Sequence, residues 1–241
     1  MSKDYRDEDG VLRCWKCGGA KQIKITTPHG KTLEANCLCK CERKELSRRE
    51  HLKTTLERKL QAKRDLKNRL DFKATFENSD HKNKQAEDIA IDYIESFDDA
   101  LDFGDGLLLY GRPDQGKSYL SSCIVNAILD DYNIHVVMAS TPEVIAEAQT
   151  FQAGVLSPYI NCDLLVLDDL DAQRTTTFAT ETIYRIIDGR YCKNKPMIIS
   201  TNTPLEFMKS TTEIDQKRIY NRILERCNPV KVECGRSRIR G

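Results

Sequence analysis

The chain has 241 residues, 39% of them apolar, with 38 basic and 37 acidic side chains. This length suggests one or two domains, and a mean hydropathy of −0.55 without a long apolar run argues against a membrane-spanning helix. The charged N-terminal decapeptide is unlike a secretion signal, so we expect a cytoplasmic protein. The net charge of +1 combines +9 over residues 1–85 with −8 over residues 86–241, which indicates a bipartite chain.

Half of the ten cysteines lie near the N-terminus, between residues 14 and 41. Clustering of this kind, in a chain without a secretion signal, is more typical of a metal site than of a disulfide framework. The pattern predicts a zinc-binding module at residues 1–41, in which four of five thiolates bind Zn²⁺ tetrahedrally. The candidate ligands are Cys14, Cys17, Cys37, Cys39 and Cys41. His29, in a turn between two short predicted strands, is a more remote candidate, and redox-active thiols are the alternative.

A basic segment follows the cysteines. Residues 42–73 contain 12 basic and 6 acidic side chains and no glycine or proline, which predicts a long, solvated helix or, as an alternative, a short coiled coil. The segment 75–85 is polar and turn-prone, so we place the end of this helix-and-linker region (42–85) there. From residue 86 to 241, apolar strands at 106–110, 134–139, 163–168, 196–201 and 229–233 alternate with helices at about 87–101, 117–130, 142–151, 177–192 and 213–226. This alternation predicts an α/β domain with a parallel sheet covered on both faces.

The sequence between Gly111 and Ser118 fits the pattern G-x4-G-K-[ST]. An apolar strand precedes it and a helix follows it, which is the context that a phosphate-binding loop requires. Consecutive backbone N–H groups and the helix N-terminus would hold the phosphates of a nucleotide. We expect Gly111 and Gly116 to shape the loop, Lys117 to contact the β- and γ-phosphates, and Ser118 to bind Mg²⁺. A chance glycine-rich turn is the alternative.

Polar side chains end two further apolar strands. Asp168 and Asp169 follow the loop by about fifty residues, which is the usual place of the acidic motif of a P-loop ATPase. Asp168 would hold the Mg²⁺, and Asp169 would orient or deprotonate an attacking water. Asn202 follows the strand 196–201, where its amide would align the same water. An acidic turn and a helix N-cap are the respective alternatives.

Basic side chains are concentrated near the C-terminus. Residues 209–241 contain nine basic and four acidic side chains. Arg218, Arg222 and Arg226 recur every fourth residue, so a helix places them on one face. Such a row would reach the γ-phosphate of a nucleotide in a neighbouring subunit. A solvated, salt-bridged helix face is the alternative for each arginine.

These motifs occur within longer phrases: CKCERKE, FKATFEN, GLLLYGRPDQGKSYL, LLVLDDLDAQRTTTFATETIYRIIDGRY, KPMIISTN and KRIYNRILERCNPVKVECGRSR. Through them the chain resembles the DnaC/DnaI-type replicative helicase loaders, AAA+ ATPases that also include the IstB-like transposition helpers. The resemblance implies an AAA+ P-loop NTPase fold with strand order 5-1-4-3-2 and ATP bound between the subunits of a homo-oligomer. The compact size and the cysteine-rich front suggest a phage or prophage type.

The resemblance also implies roles for individual residues near the nucleotide. Asn202 matches sensor 1, and Arg222 matches the arginine finger, with Arg218 close behind it. Sensor 2 falls in the phrase GRSRIRG, where Arg238 is the match. Phe76, in the linker, would pack near the adenine.

Single-stranded DNA contacts in this family use aromatic and hydroxyl side chains. The matching positions here are Phe151, Thr176 and Phe178, and stacking of a base on an aromatic ring contributes about 1–3 kcal/mol. An ordinary core contact is the alternative for each phenylalanine. Asp171 and Gln173 depart from the glycine and glutamate that the family usually has after its paired acids.

We therefore predict an ATP-dependent loader of the replicative DNA helicase in a bacterial cell or a phage-infected host. It would assemble on single-stranded DNA with ATP, Mg²⁺ and Zn²⁺, and dock to the hexameric helicase through the zinc module. Hydrolysis would release the helicase, and no membrane is involved. The alternatives are an IstB-like transposition helper, a nucleotide-gated adaptor with negligible turnover, and a small P-loop kinase.

Overall fold

The computed structural model describes residues 4–26, 32–66, 70–80, 82–150, 152–170 and 176–233. The predicted roles of His29, Phe151, Asp171, Gln173 and Arg238 lie outside these residues. The chain divides into two compact units, Met1–Arg58 and Lys59–Gly241. Each unit is described by itself.

The first unit is built from two antiparallel strand pairs and the start of a long helix. The elements are β1 (Tyr5–Arg6) with β2 (Leu12–Arg13), β3 (Gln22–Thr26) with β4 (Thr32–Asn36), and α1 (Lys40–Asp65). The β3–β4 hairpin confirms the predicted pair of strands. Nζ of Lys21 lies 2.6 Å from carboxylate oxygens of both Asp4 and Glu42, so two ion pairs connect the first residues of the unit to the first turn of α1.

The second unit has the predicted alternation of helices and strands. In chain order its elements are α2 (Lys84–Glu95), α3 (Phe97–Phe103), β5 (Gly106–Tyr110), α4 (Lys117–Asp131), β6 (Val136–Ser140), α5 (Thr141–Ala148), α6 (Ser157–Asn161), β7 (Leu164–Asp168), α7 (Thr177–Cys192), β8 (Met197–Thr201), α8 (Leu205–Ser210), α9 (Ile214–Arg226) and β9 (Cys227–Lys231). The strands form one parallel sheet in the order β6-β7-β8-β5-β9. Numbered within this unit, that order is 2-3-4-1-5, which confirms the predicted 5-1-4-3-2 sheet.

Helices cover both faces of the sheet, which explains why its strands are almost entirely apolar. Leu107 and Leu109 of β5 pack into a cluster with α2 and α4, whereas Leu108 packs on the opposite face with α5, α7 and α9. The alternation along one strand therefore supplies two cores. Among the described residues, none of the helices combines the length and apolarity that crossing a membrane requires.

Two of the differences from the predicted boundaries have a clear physical reason. The helix predicted at 87–101 is divided at Ser96, whose hydroxyl donates to the carbonyl of Asp92 at 2.8 Å and ends α2. The last strand begins at Cys227, directly after α9, although Pro229 inside it argues against a strand. β9 lies at the edge of the sheet, where a residue without an N–H is tolerated.

Candidate nucleotide and metal sites

The loop 111–116 connects the end of β5 to the start of α4. A Cβ atom on Gly111 would lie 2.3 Å from the carbonyl oxygen of Val232, so only glycine fits between the loop and the segment after β9. Gly116 precedes α4 with φ of +88°, in the left-handed region that favours glycine. The two glycines thus hold the loop in a conformation that points the N-terminus of α4 at its concave side, where anions bind.

Lys117 is buried at the first position of α4. Its Nζ donates to the carbonyl oxygens of Gly111 at 3.0 Å and Arg112 at 2.9 Å, and to Oδ1 of Asn202 at 2.7 Å. The predicted phosphate-binding lysine and the predicted sensor 1 are therefore in direct contact, because β5 and β8 are neighbours and both end at this edge of the sheet.

The acidic motif lies beside this contact. Oγ of Ser118 donates to Oδ2 of Asp168 at 2.8 Å, so the two predicted Mg²⁺ ligands are adjacent. Both residues line a cavity of about 320 Å³, which leaves room for a hydrated cation next to their oxygens. Asp169 follows with φ of +52°, a turn that carries its side chain beyond the end of β7.

Ser200 is a site residue that sequence reasoning missed. It is 1% exposed, and its Oγ donates to Oδ1 of Asp168. Oγ of Ser200 also accepts a hydrogen bond from the backbone N–H of Asp169 at 2.9 Å. One side chain on β8 thus fixes both acidic residues that follow β7. In the sequence, the feature that could have indicated this role is a serine hydroxyl that follows three apolar residues within the strand Met197–Thr201.

A second cavity, of about 330 Å³, lies against the phosphate-binding loop. Gly116 and Leu120 form its wall on one side, and the linker residue Phe76 contributes to it together with Asn83 and Glu87. The linker is held there by α4, since Nδ2 of Asn126 donates to two of its carbonyl oxygens, each at 2.9 Å. The predicted position of Phe76 beside the nucleotide pocket is thus compatible with the structure.

The three arginines of α9 face α7 of the same chain. Nε of Arg222 donates to Oδ1 of Asp188 at 3.1 Å, and its guanidinium lies 4.3 Å from the centre of the Tyr191 ring. Arg218 lies 6.0 Å from the Tyr184 ring. Asp188, through its hydrogen bond to Arg222, raises the pKa of that guanidinium, which therefore carries its charge at every physiological pH.

Arg226 has a different environment from the other two. It donates to the carbonyl of Phe103 at 2.9 Å and to Oδ1 of Asn194 at 2.6 Å, in addition to a cation–π contact with Tyr191 at 4.8 Å. These bonds join α9 to the end of α3 and to the turn after α7, so Arg226 has a local structural role.

The predicted DNA contacts that the structure describes lie at the start of α7. Oγ1 of Thr176 accepts the N–H of Ala179 at 3.2 Å and thus caps the helix. Phe178 is half-buried and packs against the core on the α7 face of the sheet. Thr176 and Phe178 therefore each make a contact within this chain that supports its fold.

Four thiols form a compact cluster in the first unit. The Sγ atoms of Cys14, Cys17, Cys39 and Cys41 all lie within 4.8 Å of one another. A tetrahedral Zn²⁺ site with bonds of about 2.3 Å has sulfur atoms about 3.8 Å apart, so the cluster fits zinc. Cys37 lies outside it, and its thiol donates to the carbonyl of Ala20 at 3.4 Å.

The electrostatics of the cluster favour a cation. Hydrogen bonds from the backbone N–H of Cys41 and of Gly19 lower the pKa of Cys17 to about 6. The thiols of Cys39, Cys14 and Cys17 raise the pKa of Cys41 to about 12, because a second thiolate beside the first is disfavoured. A bound cation removes that repulsion, which is why a metal is the natural partner of four adjacent thiolates.

The second unit has the AAA+ P-loop NTPase fold. Its parallel 2-3-4-1-5 sheet, glycine loop and acidic pair are the features that define this fold. The sequence profile of the family described as IstB-like ATP binding protein matches residues 31–241, and the chain belongs to this family. The family predicted from the sequence is confirmed.

Individual relatives agree with this assignment. The replicative helicase loader DnaC of Escherichia coli K12 is 25% identical over 140 residues, covering 56% of this chain and 55% of DnaC. The replicative helicase loader DnaI of Bacillus subtilis 168 is 26% identical over 158 residues, covering 59% of this chain and 50% of DnaI. The chain thus spans about half the length of the curated relatives it matches. A crystal structure of the DnaC helicase loader superposes with a TM-score of 0.56 at 24% identity, covering 64% of this chain and 92% of that one, and shows the same fold.

Proposed function

We propose that this protein is an ATP-hydrolysing loader of the replicative DNA helicase onto single-stranded DNA. The observation that carries the proposal is the meeting of Lys117, Asn202 and the Ser118–Asp168 pair at the ends of three neighbouring strands. This arrangement combines phosphate binding, cation binding and water positioning in one place. The relatives named as helicase loaders indicate what the hydrolysis serves.

The hydrolytic step follows from the positions of the side chains. Mg²⁺, held by Ser118 and Asp168, would neutralise charge on the β- and γ-phosphates. The Asp169 carboxylate accepts a proton from the attacking water or orients it, and the Asn202 amide aligns that water. Ser200 fixes the relative positions of Asp168 and Asp169, since its hydroxyl forms hydrogen bonds with the carboxylate of Asp168 and with the backbone N–H of Asp169.

Stabilisation of the transferring phosphoryl group requires a further cation, which we assign to Arg222 of a neighbouring subunit. Its guanidinium is charged, lies on the surface of α9 and is 34% exposed. A homo-oligomer that brings this face against the loop of the next subunit completes the site. Arg218 is placed beside it, and Arg238 is assigned to sensor 2 within its own subunit.

The first unit supplies the contact with the helicase. Zn²⁺ bound by Cys14, Cys17, Cys39 and Cys41 would stabilise the 1–41 module. Trp15, Leu38 and Leu46 border one groove of this unit and are 61%, 45% and 45% exposed. Exposed apolar side chains of this size in a small module are typical of a protein-binding surface, and we assign them to the hexameric helicase. The basic 42–85 region joins this module to the 86–241 ATPase domain.

Single-stranded DNA is assigned to Phe151 and to two residues at the start of α7, Thr176 and Phe178. A half-buried phenylalanine at a helix start can present one ring face to a base while its other face packs inward. The bacterial or phage-infected cytoplasm, where replication occurs, is the proposed location, and a phage or prophage source is proposed with it.

Turnover of ATP by the full chain, with and without single-stranded DNA, tests the proposal. Lys117→Ala is expected to abolish turnover, whereas Lys209→Ala, on an exposed side of α8, leaves it unchanged. Binding of purified replicative helicase by the zinc-loaded chain tests the partner. ATP bound without turnover would instead indicate a nucleotide-gated adaptor, and specific binding of a transposase would indicate a transposition helper.

A further inference from the structure

The guanidinium of Arg222 is held by α7 of its own chain through one of its three nitrogens. Nε donates to Oδ1 of Asp188 at 3.1 Å, and Cζ lies 4.3 Å from the centre of the Tyr191 ring. Within the described part of the chain, the two Nη groups of Arg222 form no hydrogen bond. These groups therefore keep the donors with which a guanidinium binds two oxygens of one phosphate.

Asp188 is itself oriented by its own helix. It follows Tyr184 by four residues and precedes Tyr191 by three, so α7 presents the three side chains on one face. The hydroxyl of Tyr184 donates to Oδ1 of Asp188 at 3.4 Å, and this is the oxygen that also accepts the Nε proton of Arg222. The acceptor for Arg222 thus has a defined position on α7.

The Tyr191 ring is a second fixed support for Arg222. Arg226 also packs against it, with Cζ 4.8 Å from the ring centre. Arg226 is in turn anchored by its hydrogen bonds to the carbonyl of Phe103 and to Oδ1 of Asn194. The ring therefore lies between α7 and two arginines of α9, and it limits the rotation of the Arg222 guanidinium.

We propose that Asp188 is a positioning residue that acts through Arg222, an inference that rests on the proposed action of Arg222 on the nucleotide of a neighbouring subunit. A free arginine side chain has many rotamers, and ordering it in the transition state costs conformational entropy. The bond from Nε to Asp188 orders the side chain beforehand and leaves the Nη groups for the γ-phosphate. Asp188 contributes an acceptor in the right place, and it does not touch the nucleotide itself.

ATP turnover by the full chain tests this inference. Asp188→Ala removes the acceptor and is expected to lower kcat about tenfold, with KM for ATP within about threefold of the wild type, because Arg222 acts in the transition state. Asp188→Asn keeps an oxygen acceptor for Nε, so its kcat should stay within about threefold of the wild type. Asp163→Ala is the matched control, since this carboxylate is 39% exposed and forms an ion pair with Lys195 at 2.9 Å, directly before β7.

Mixed oligomers show whether the effect of Asp188 is exerted on the neighbouring subunit. A Lys117→Ala subunit lacks a working phosphate site but keeps Asp188 and Arg222. Its addition should therefore restore turnover at the intact loops of Asp188→Ala subunits, whereas a folding defect in those subunits would persist. In a chain that already carries Arg222→Ala, Asp188→Ala should cause no further loss of turnover.

The outcomes separate this inference from the proposed function. A loss in Asp188→Ala that both Asp188→Asn and added Lys117→Ala subunits restore supports it. Full turnover in Asp188→Ala, an equal loss in Asp163→Ala, or a loss that either test fails to restore overturns the positioning role. The assignment of Arg222 then still stands if Arg222→Ala lacks turnover. Turnover by Lys117→Ala alone at the wild-type rate would instead overturn the proposed function.

Discussion

Nζ of Lys117 lies 2.7 Å from Oδ1 of Asn202, a contact that joins the phosphate-binding loop to the end of β8. The same ammonium donates to two carbonyl oxygens of the loop, so three acceptors use its three protons. A phosphate that binds to Lys117 must therefore replace one of them. If the phosphate replaces Oδ1 of Asn202 as the partner of Lys117, the Asn202 amide is released and can bind the attacking water once the nucleotide is bound.

Asn202→Ala is expected to lower ATP turnover about 10- to 100-fold and to leave ATP affinity within about threefold of the wild type. The amide would act on water in the transition state, whereas its bond to Lys117 competes with phosphate in the ground state. Steady-state turnover and nucleotide titration measure the two quantities. Asn228→Ala, an exposed substitution on β9, is the control. A loss of affinity without a loss of turnover would contradict this role.

Ser200→Ala is expected to raise the Mg²⁺ concentration at half-maximal turnover severalfold. It removes the bond that orients Asp168 and leaves the N–H of Asp169 without its partner, so the free energy of unfolding should fall by about 1–3 kcal/mol. Urea denaturation and Mg²⁺ titration measure these effects, with the exposed Ser210→Ala as control. An unchanged Mg²⁺ requirement would show that Asp168 is positioned without Ser200.

The site residues that lie within short sequence motifs could be predicted from the sequence. Lys117, Ser118 and the paired acids stand within short motifs next to apolar strands, and the parallel sheet then brings them together. Ser200 was not predictable, because its role depends on the pairing of β8 with β7 rather than on its neighbours in the chain. The exclusion of Cys37 is similar, since spacing alone left open which two of Cys37, Cys39 and Cys41 bind the metal, and only the fold separates Cys37 from the other two.

Arg190→Leu is expected to destabilise the second unit by about 3–5 kcal/mol. This guanidinium is fully buried and donates to backbone carbonyls before β7 and β8, including those of Tyr159 at 2.8 Å, Cys162 at 3.0 Å and Pro196 at 2.7 Å. Its removal leaves these acceptors buried and unpaired. Denaturant unfolding measures the loss, and Arg185→Leu, exposed on the same helix, should change stability by under about 0.5 kcal/mol.

Substitution of the clustered cysteines tests the metal site. Cys14→Ser and Cys39→Ser are expected to reduce bound zinc from one ion per chain to a small fraction, because each removes a thiolate from a four-ligand site. Cys37→Ser is the matched control and should keep one ion, since its thiol lies outside the cluster. Elemental analysis of the purified full chain gives the stoichiometry. Loss of zinc in Cys37→Ser alone would reverse the assignment of the ligands.

Arg222 is expected to act on the nucleotide of a neighbouring subunit, which mixed oligomers can reveal. Arg222→Ala and Lys117→Ala should each lack turnover alone, because one lacks the trans-acting cation and the other lacks its own phosphate site. A mixture restores interfaces in which an intact loop meets an intact Arg222, so partial turnover should return. Arg226→Ala is the control for the arginine row, since its bonds to Phe103 and Asn194 are internal to one subunit, and its main effect should be on stability. If mixing restores nothing although the two variants co-assemble, Arg222 acts within its own subunit, where its hydrogen bond to Asp188 then defines its role.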